Sequence, residues 1–361
     1  MSNQGSIDFR SRLNSSEPLI HTLINAYMMS GALFSCTELD LFSHLDQTPG
    51  ARLDELAVHC GISPEQTRKL LCFCLSVGLV RQEEERYYCS DDARKLLSRH
   101  SPDNLCAAMT HHRRHVYPLF AELSDSLRRQ APICHRLGLG GRDGSEFYAE
   151  LDKGTEDFDL FMSAMNTFSR GAGTRLAEII ASHTAVDRPL RVLDLGGGGG
   201  QVAIELARGL PDAQIMLVDL PKAVNHAQEQ IQAQGLEHRI RCQAGDIFSP
   251  LPLETPFDIV LLSAVLGDWS LDYQRRLLAN AYLHLSPGGW LVVSETLLDD
   301  DLGGPILPAL MSLYVQLLTE GGENFTASGL TRLLQDNGFE QAQVHYNRAH
   351  GCRDTVMAQR R

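Results

Sequence analysis

The hydrophobic pattern changes character about half-way along the 361 residues. In the first half, apolar positions recur every three or four residues, the period of a helix. Between 17 and 45 they include Leu19, Leu23, Ala26, Met29, Leu33 and Phe34, with few charges among them. A helix that is apolar on more than one face needs a covering surface, and a second subunit would supply one. From about residue 188 the period switches. Short apolar runs at 191–195, 215–219, 240–244, 257–263, 290–295 and 342–346, with a last one near 355–358, alternate with helical stretches. That alternation predicts an α/β fold with a doubly wound, Rossmann-like sheet.

Residues 53–98 predict a small winged helix. Leu53 to His59 forms a short helix, Ser63 an N-cap with Pro64 at the first helical position, and Glu65 to Val77 a second helix closed by Gly78. Leu79 to Arg81 and Arg86 to Cys89 make the wing, and Asp91 to Leu97 a further helix. Such a unit can bind DNA, so a transcription regulator is one function class to weigh. Its second helix offers only Arg68 and Lys69 before Leu70, Leu71, Phe73 and Leu75, and Glu83, Glu84 and Glu85 sit where phosphates would lie. The net charge of −13, from 32 basic and 45 acidic residues, points the same way. A mainly helical dimerisation domain over 1–100 fits better, implying a homodimer and no nucleic-acid partner. Residues 101–180 read as a helical linker and substrate cap, with a glycine-rich break from Gly138 to Gly144, and 181–361 as the sheet domain.

Composition adds little beyond this. Hydrophobic residues at 43% and charged residues at 21% describe a globular chain. No run approaches the roughly 18 apolar residues of a membrane span. The first ten residues lack the apolar core of a signal peptide, so a cytoplasmic protein with no membrane partner is expected. Nine scattered cysteines suggest reduced thiols, and Cys72 and Cys74 stand too close for a zinc knuckle. His111, His112 and His115 cluster, and His111 and His115 would share a helix face. A metal would need a third ligand from elsewhere, so no metal is assigned.

The candidate chemistry starts at Val192 to Gln201, an apolar strand followed by five glycines and a helix. Such a turn lets a ligand approach the backbone, because no Cβ blocks it. A second strand ends in Asp219, 23 positions after Gly196, where an acid suits a ribose diol. A dinucleotide would set its pyrophosphate on the helix N-terminus, where Asp194 would repel it. S-adenosylmethionine (SAM), with its ammonium group, suits that carboxylate. Asp246, after the third strand, is either an acceptor for an adenine amino group or a turn aspartate. Ligands of such sheets lie at the carboxyl ends of the strands. There Gly196, Gly197, Gly198, Asp219, Asp246 and Ser263 would converge.

In order, the chain carries Asp-Leu-Gly-Gly-Gly-Gly-Gly, Val-Asp-Leu-Pro, Gly-Asp-Ile-Phe, Leu-Gly-Asp-Trp-Ser, Leu-Ser-Pro-Gly-Gly and Gly-Gly-Glu-Asn. This series resembles the SAM-dependent O-methyltransferases of natural-product metabolism, of caffeate, acetylserotonin and antibiotic-tailoring types, over nearly the whole chain. The resemblance implies a small-molecule methyltransferase that converts SAM to S-adenosylhomocysteine. It adds Met165, Ser169, Leu220, Gly245, Ile247, Phe248 and Trp269 to the cofactor contacts, with Phe161, Met165 and Ser169 on a helix covering the cofactor.

One motif departs from the family. Where it usually reads Leu-His-Asp-Trp, with histidine as general base, this chain has Gly267, and the basic residue common four positions earlier is Ser263. The glutamates that orient that histidine are retained as Glu295 and Glu323. The small residue is expected to make room for a larger acceptor. Methyl transfer from a sulfonium is an in-line displacement that positioning alone can accelerate. A phenol, an enol, a thiol or an activated carbon all fit as acceptor. Asp268 is the first candidate for a replacement base, with Glu295, Glu323 and the His111/His115 pair in reserve. A non-methyl reaction on the same scaffold (rearrangement, decarboxylation or hydroxylation) is the alternative. Met311, Tyr314 and Leu318 are either acceptor walls or plain core.

Overall fold

The computed structural model describes residues 19–137, 148, 156–184, 188–253, 256–347 and 353–361. The expected glycine-rich break at Gly138 to Gly144 lies outside them. The chain divides between Arg114 and His115 into two compact units.

The first unit runs α1 (Leu19–Glu38), α2 (Leu41–Gln47), β1 (Ala51–Arg52), α3 (Leu53–Cys60), α4 (Pro64–Ser76), β2 (Val80–Glu83), β3 (Arg86–Cys89), α5 (Asp91–Leu97) and α6 (Cys106–His111). The three strands pair antiparallel in the order β1-β3-β2. The single helix expected over 17–45 is instead two. Asp40 takes the left-handed region at φ 57° and turns the chain, accepting a hydrogen bond from Ser43 Oγ. The start of α4 is as expected: Ser63 Oγ accepts the Gln66 N–H, with Pro64 in the first turn. Leu41, Phe42, Leu45, Leu56, Leu71 and Val80 form the unit's core.

Helix α1 is different. Leu19, Ile20, Leu23, Ile24, Tyr27 and Met28 are all at least half exposed. Its 18-residue window has a mean hydropathy of 1.2, so by length and composition it is apolar enough to cross a membrane. His21, Asn25 and Ser30 interrupt the apolar run without lowering the average below that level.

In the second unit a π turn over His112–Val116 leads to α7 (Tyr117–Phe120), α8 (Leu123–Arg129), α9 (Glu156–Phe168) and α10 (Ala172–His183). The sheet region follows as β4 (Arg191–Leu195), α11 (Gln201–Gly209), β5 (Gln214–Asp219), α12 (Pro221–Ala233), β6 (Ile240–Ala244) and β7 (Phe257–Ser263). It continues with α13 (Leu271–His284), β8 (Leu285–Glu295), α14 (Ile306–Leu318), α15 (Ala327–Asp336), β9 (Phe339–His345) and β10 (Asp354–Arg360). Strands β4, β6 and β7 keep the bounds expected from their apolar runs. Strand β8 starts earlier than expected, because Leu285 pairs with Phe257 and the strand bulges before Trp290 meets Ile259.

The seven strands order as β6-β5-β4-β7-β8-β10-β9. The first five are parallel, and β10 runs antiparallel to both its neighbours. Alternation along β7 sends Ile259 and Leu261 to one face, with α10, α11 and α12. Val260 and Leu262 go to the other, with α13 and α15. Strand order reverses between β4 and β7, and a crevice opens there at the carboxyl ends.

The Glu205 carboxylate of α11 accepts the Gly171, Gly173 and Thr174 N–H groups at 2.9, 3.0 and 3.4 Å. It caps the N-terminus of α10 from a neighbouring helix. Glu205→Ala is expected to destabilise the second unit by about 2 kcal/mol. Glu205→Gln, which still accepts, should cost less; urea unfolding checks both.

Candidate active site

A cavity of about 270 Å³ opens at the crevice. Its lining takes in the glycine turn after β4, the tips of β5, β6 and β7, and helix α9. The turn departs from ordinary backbone: φ is +76° at Gly196 and +54° at Gly198. A Cβ on Gly197 would stand 2.6 Å from Leu217 Cγ and 2.8 Å from Asp194 Oδ2. Only a bare backbone passes there.

Asp194 is 1% exposed, and neither of its oxygens has a hydrogen-bond partner among the described residues. Burial, and then the charge of Asp219, raise its pKa to about 7. A carboxylate kept dry and unpaired calls for a cation. Asp219, at the tip of β5, accepts the Gly198 and Leu220 N–H groups, both at 2.7 Å. Asp246 accepts from Phe248 N and Ser249 Oγ, so it does organise a turn; a carboxylate has lone pairs left for a further donor. Met165, Ser169, Leu220, Gly245, Ile247, Phe248, Ser263 and Trp269 also line the cavity, as expected. Trp269 packs edge-to-face on Phe248, with centroids 4.5 Å apart, and its buried Nε1 has no hydrogen-bond partner among the described residues.

The segment after β7 forms a 3₁₀ turn, Leu266–Asp268. Glu295 Oε1 holds this turn, accepting the Val265, Leu266 and Gly267 N–H groups at 3.0–3.3 Å. Desolvation, and then Asp268, raise its pKa to about 7. Asp268 projects into the cavity and accepts a 2.5 Å hydrogen bond from the Tyr148 hydroxyl. Burial lifts Asp268 to about 6, against the lowering effects of Tyr148 and Arg353. Tyr148 is pushed well above the ordinary tyrosine range, first by burial and then by Asp268, so it stays a neutral donor.

Several expected roles find no support in the placement. Glu323 is exposed and outside the lining; its backbone N–H donates to Gly267 O at 2.8 Å instead. Gly267 does not leave an open slot, because a Cβ there would lie 2.9 Å from Glu323 O. The main chain has moved into the space that a side chain would take. His111 is buried in the first unit. His115, in the second, pairs with Asp157 at 3.1 Å, and the π turn spoils the α-helical spacing of the two. Leu318 is buried core, while Tyr314 packs partly buried against the same cluster. No three metal-ligating side chains gather among the described residues. Among the lining residues that escaped the sequence reading are Tyr148 and Arg353, which belong to no motif.

Comparison with known proteins gives this geometry a context. The profile of the O-methyltransferase domain matches residues 120–340, and that of the O-methyltransferase dimerisation domain matches 21–99. The chain belongs to the O-methyltransferase family. A 3-hydroxy-5-methyl-1-naphthoate 3-O-methyltransferase of Streptomyces sahachiroi is 31% identical over 326 residues, 90% of each chain. Human acetylserotonin O-methyltransferase is 30% identical over 351 residues, 95% of this chain and 97% of that one. The structure of the human enzyme in complex with SAM superposes with a TM-score of 0.83 at 27% identity, covering 100% and 99% of the two chains. The protein is thus a SAM-dependent methyltransferase with an N-terminal dimerisation domain.

The residues present fit SAM. Its sulfonium and ammonium charges suit a cavity that gathers Asp194, Asp219, Asp246 and Asp268, and Asp194 has no partner without them. The fit predicts a pH signature. The folded pKa of Asp194 is about 7 against 3.8 ordinarily, so its contribution to stability is complete below about pH 4 and is lost as pH rises through about 7. Asp194→Asn is therefore expected to raise the melting temperature of the ligand-free methyltransferase at pH 8 while weakening S-adenosylhomocysteine binding by roughly 10-fold or more. Differential scanning calorimetry and isothermal titration check the two halves.

Proposed function

We propose that the enzyme O-methylates a hydroxylated aromatic small molecule of secondary metabolism, with Asp268 as general base in place of the family's histidine. The observation that carries this is the placement of Asp268: in the cavity, held by Tyr148 at 2.5 Å, with its pKa raised to about 6. A base near pKa 6 is ionised at neutral pH yet still accepts a proton as an aryl hydroxyl attacks. Tyr148 fixes the carboxylate's orientation. Glu295 serves the same turn from behind, through the backbone of Val265 to Gly267.

In this reading Asp219 takes the ribose hydroxyls and Asp194 faces the ammonium of SAM. Asp246 receives the adenine amino group, and Met165 covers the cofactor from α9. Bound SAM supplies an electrophilic methyl on a sulfonium. The chain's residues align the acceptor oxygen behind that methyl and remove its proton. Hydroxylated aromatic acceptors are named for the naphthoate and acetylserotonin relatives, and a cavity lined by Phe161, Phe248 and Trp269 suits such rings.

The rate should follow Asp268 ionisation: kcat/KM rises with pH through about 6 and levels off above it. Asp268→Asn is expected to abolish that limb and lower kcat by about 100-fold or more, with SAM affinity little changed. A pH–rate profile in which the variant keeps the wild-type limb would remove Asp268 from this role.

We also infer a cytoplasmic homodimer with no nucleic-acid or membrane partner. It would comprise a winged-helix-like dimerisation part over 1–100, a substrate cap over 101–180 and the SAM domain over 181–361. The dimerisation-domain match, the exposed apolar face of α1 and the free cysteines support this reading. Leu23→Glu with Ile24→Glu should halve the mass seen by light scattering, without unfolding the protein by circular dichroism.

A further inference from the structure

Arg353 is the one cation among the described lining residues of a cavity that otherwise carries four aspartates. It precedes β10, and Asp354, the first residue of that strand, pairs with Glu295 at the end of β8. The buried Asp354 carboxylate anchors this point by accepting the Asn347 and Leu297 N–H groups. Because β10 runs against the parallel strands, its beginning arrives at their carboxyl ends. The Arg353 guanidinium is thereby delivered to the ligand edge.

Its contacts there are specific. Arg353 Nη1 donates to Ser263 Oγ at 2.9 Å and Nη2 to Ser169 Oγ at 3.1 Å. A guanidinium has five N–H donors. Among the described residues, hydrogen bonds to these two hydroxyls are its only ones. Asp268 and Glu295 act on it through the field, without a hydrogen bond. A desolvated guanidinium with spare donors facing a cavity is built for a planar anion, which it grips with two parallel hydrogen bonds. Ser263 stands where the family commonly has a basic residue, so Arg353 returns a positive charge to that spot from another strand.

We propose that Arg353, with the hydroxyls of Ser169 and Ser263, forms the carboxylate-binding site of this pocket. The site lies where an α-amino acid would be held at both ends. Asp194 pairs with Leu261 across β4 and β7, and Ser263 is two residues further along β7. An ammonium at Asp194 therefore leaves its neighbouring carboxylate close to Arg353. The inference rests on the proposed reading that SAM occupies the cavity. The same chemistry could also hold an acidic group on the acceptor.

The test compares ligands that differ in the carboxylate. Wild type, Arg353→Met, Arg353→Lys and Ser169→Ala are titrated calorimetrically with S-adenosylhomocysteine and with 5′-methylthioadenosine, which lacks the amino-acid end. Arg353→Met is expected to weaken S-adenosylhomocysteine about 30-fold or more, to leave methylthioadenosine within about twofold, and to be partly rescued in Arg353→Lys. A second arm compares 3-hydroxy-2-naphthoate with 2-naphthol. A loss confined to the naphthoate, with S-adenosylhomocysteine unaffected, keeps the carboxylate site and assigns it to the acceptor. Equal losses for carboxylate and non-carboxylate ligands, or no loss in either arm, overturn the proposal. Wild-type protein that binds no S-adenosylhomocysteine would instead fail the cofactor reading itself.

Discussion

The organising constraint is electrostatic: a carboxylate, Asp194, is held dry at the end of a central strand with nothing to pair with. Burying a lone charge is so unfavourable that the group keeps its proton up to about pH 7. Asp194 sits where β4 still pairs with β7, and just beyond it the glycines bring bare backbone over the crevice. A ligand with positive charge releases the stored penalty and gains affinity from it. Asp219 adds to the field, so the whole edge is tuned against anions except where Arg353 reaches in. The pocket is therefore acidic along β4 to β6, while at the β7 and β10 corner Arg353 stands among Asp268 and Glu295.

The turn after β7 shows how closely two segments pack where a residue has no side chain. Histidine at 267 would need a Cβ where the Glu323 carbonyl now lies. Residues 322–323 pack against the turn, with the Glu323 N–H on Gly267 O, and the Glu323 side chain is exposed. Glu295 keeps a structural duty there, taking three backbone N–H groups. The acid that this turn presents to the cavity is Asp268, steadied by a tyrosine from far along the chain.

Much of the fold was legible in the sequence because buried parallel strands are continuous apolar runs. Three of them kept their expected bounds to the residue, and the glycine turn with its two flanking acids fell where strand and helix periods met. What escaped was set by distance in three dimensions. Asp40 breaks the first helix through a left-handed backbone that no apolar period reports. Strand β8 extends back through a Ser-Pro-Gly-Gly stretch that reads as a turn. Tyr148 and Arg353 carry no local signature. One comes from a glycine-rich neighbourhood, and the other reaches the site only because a single strand runs backwards. The apolar character of α1 was visible, but polar residues spaced along it hid its average.

That reversed strand also governs how the sheet is joined. β10 is the last strand described, yet it lies between β8 and β9, both made before it. Strand β9 therefore joins the sheet only through β10. The strand that ties β9 to the sheet also carries Arg353 to the cavity at its start, as a keystone joins both sides of an arch.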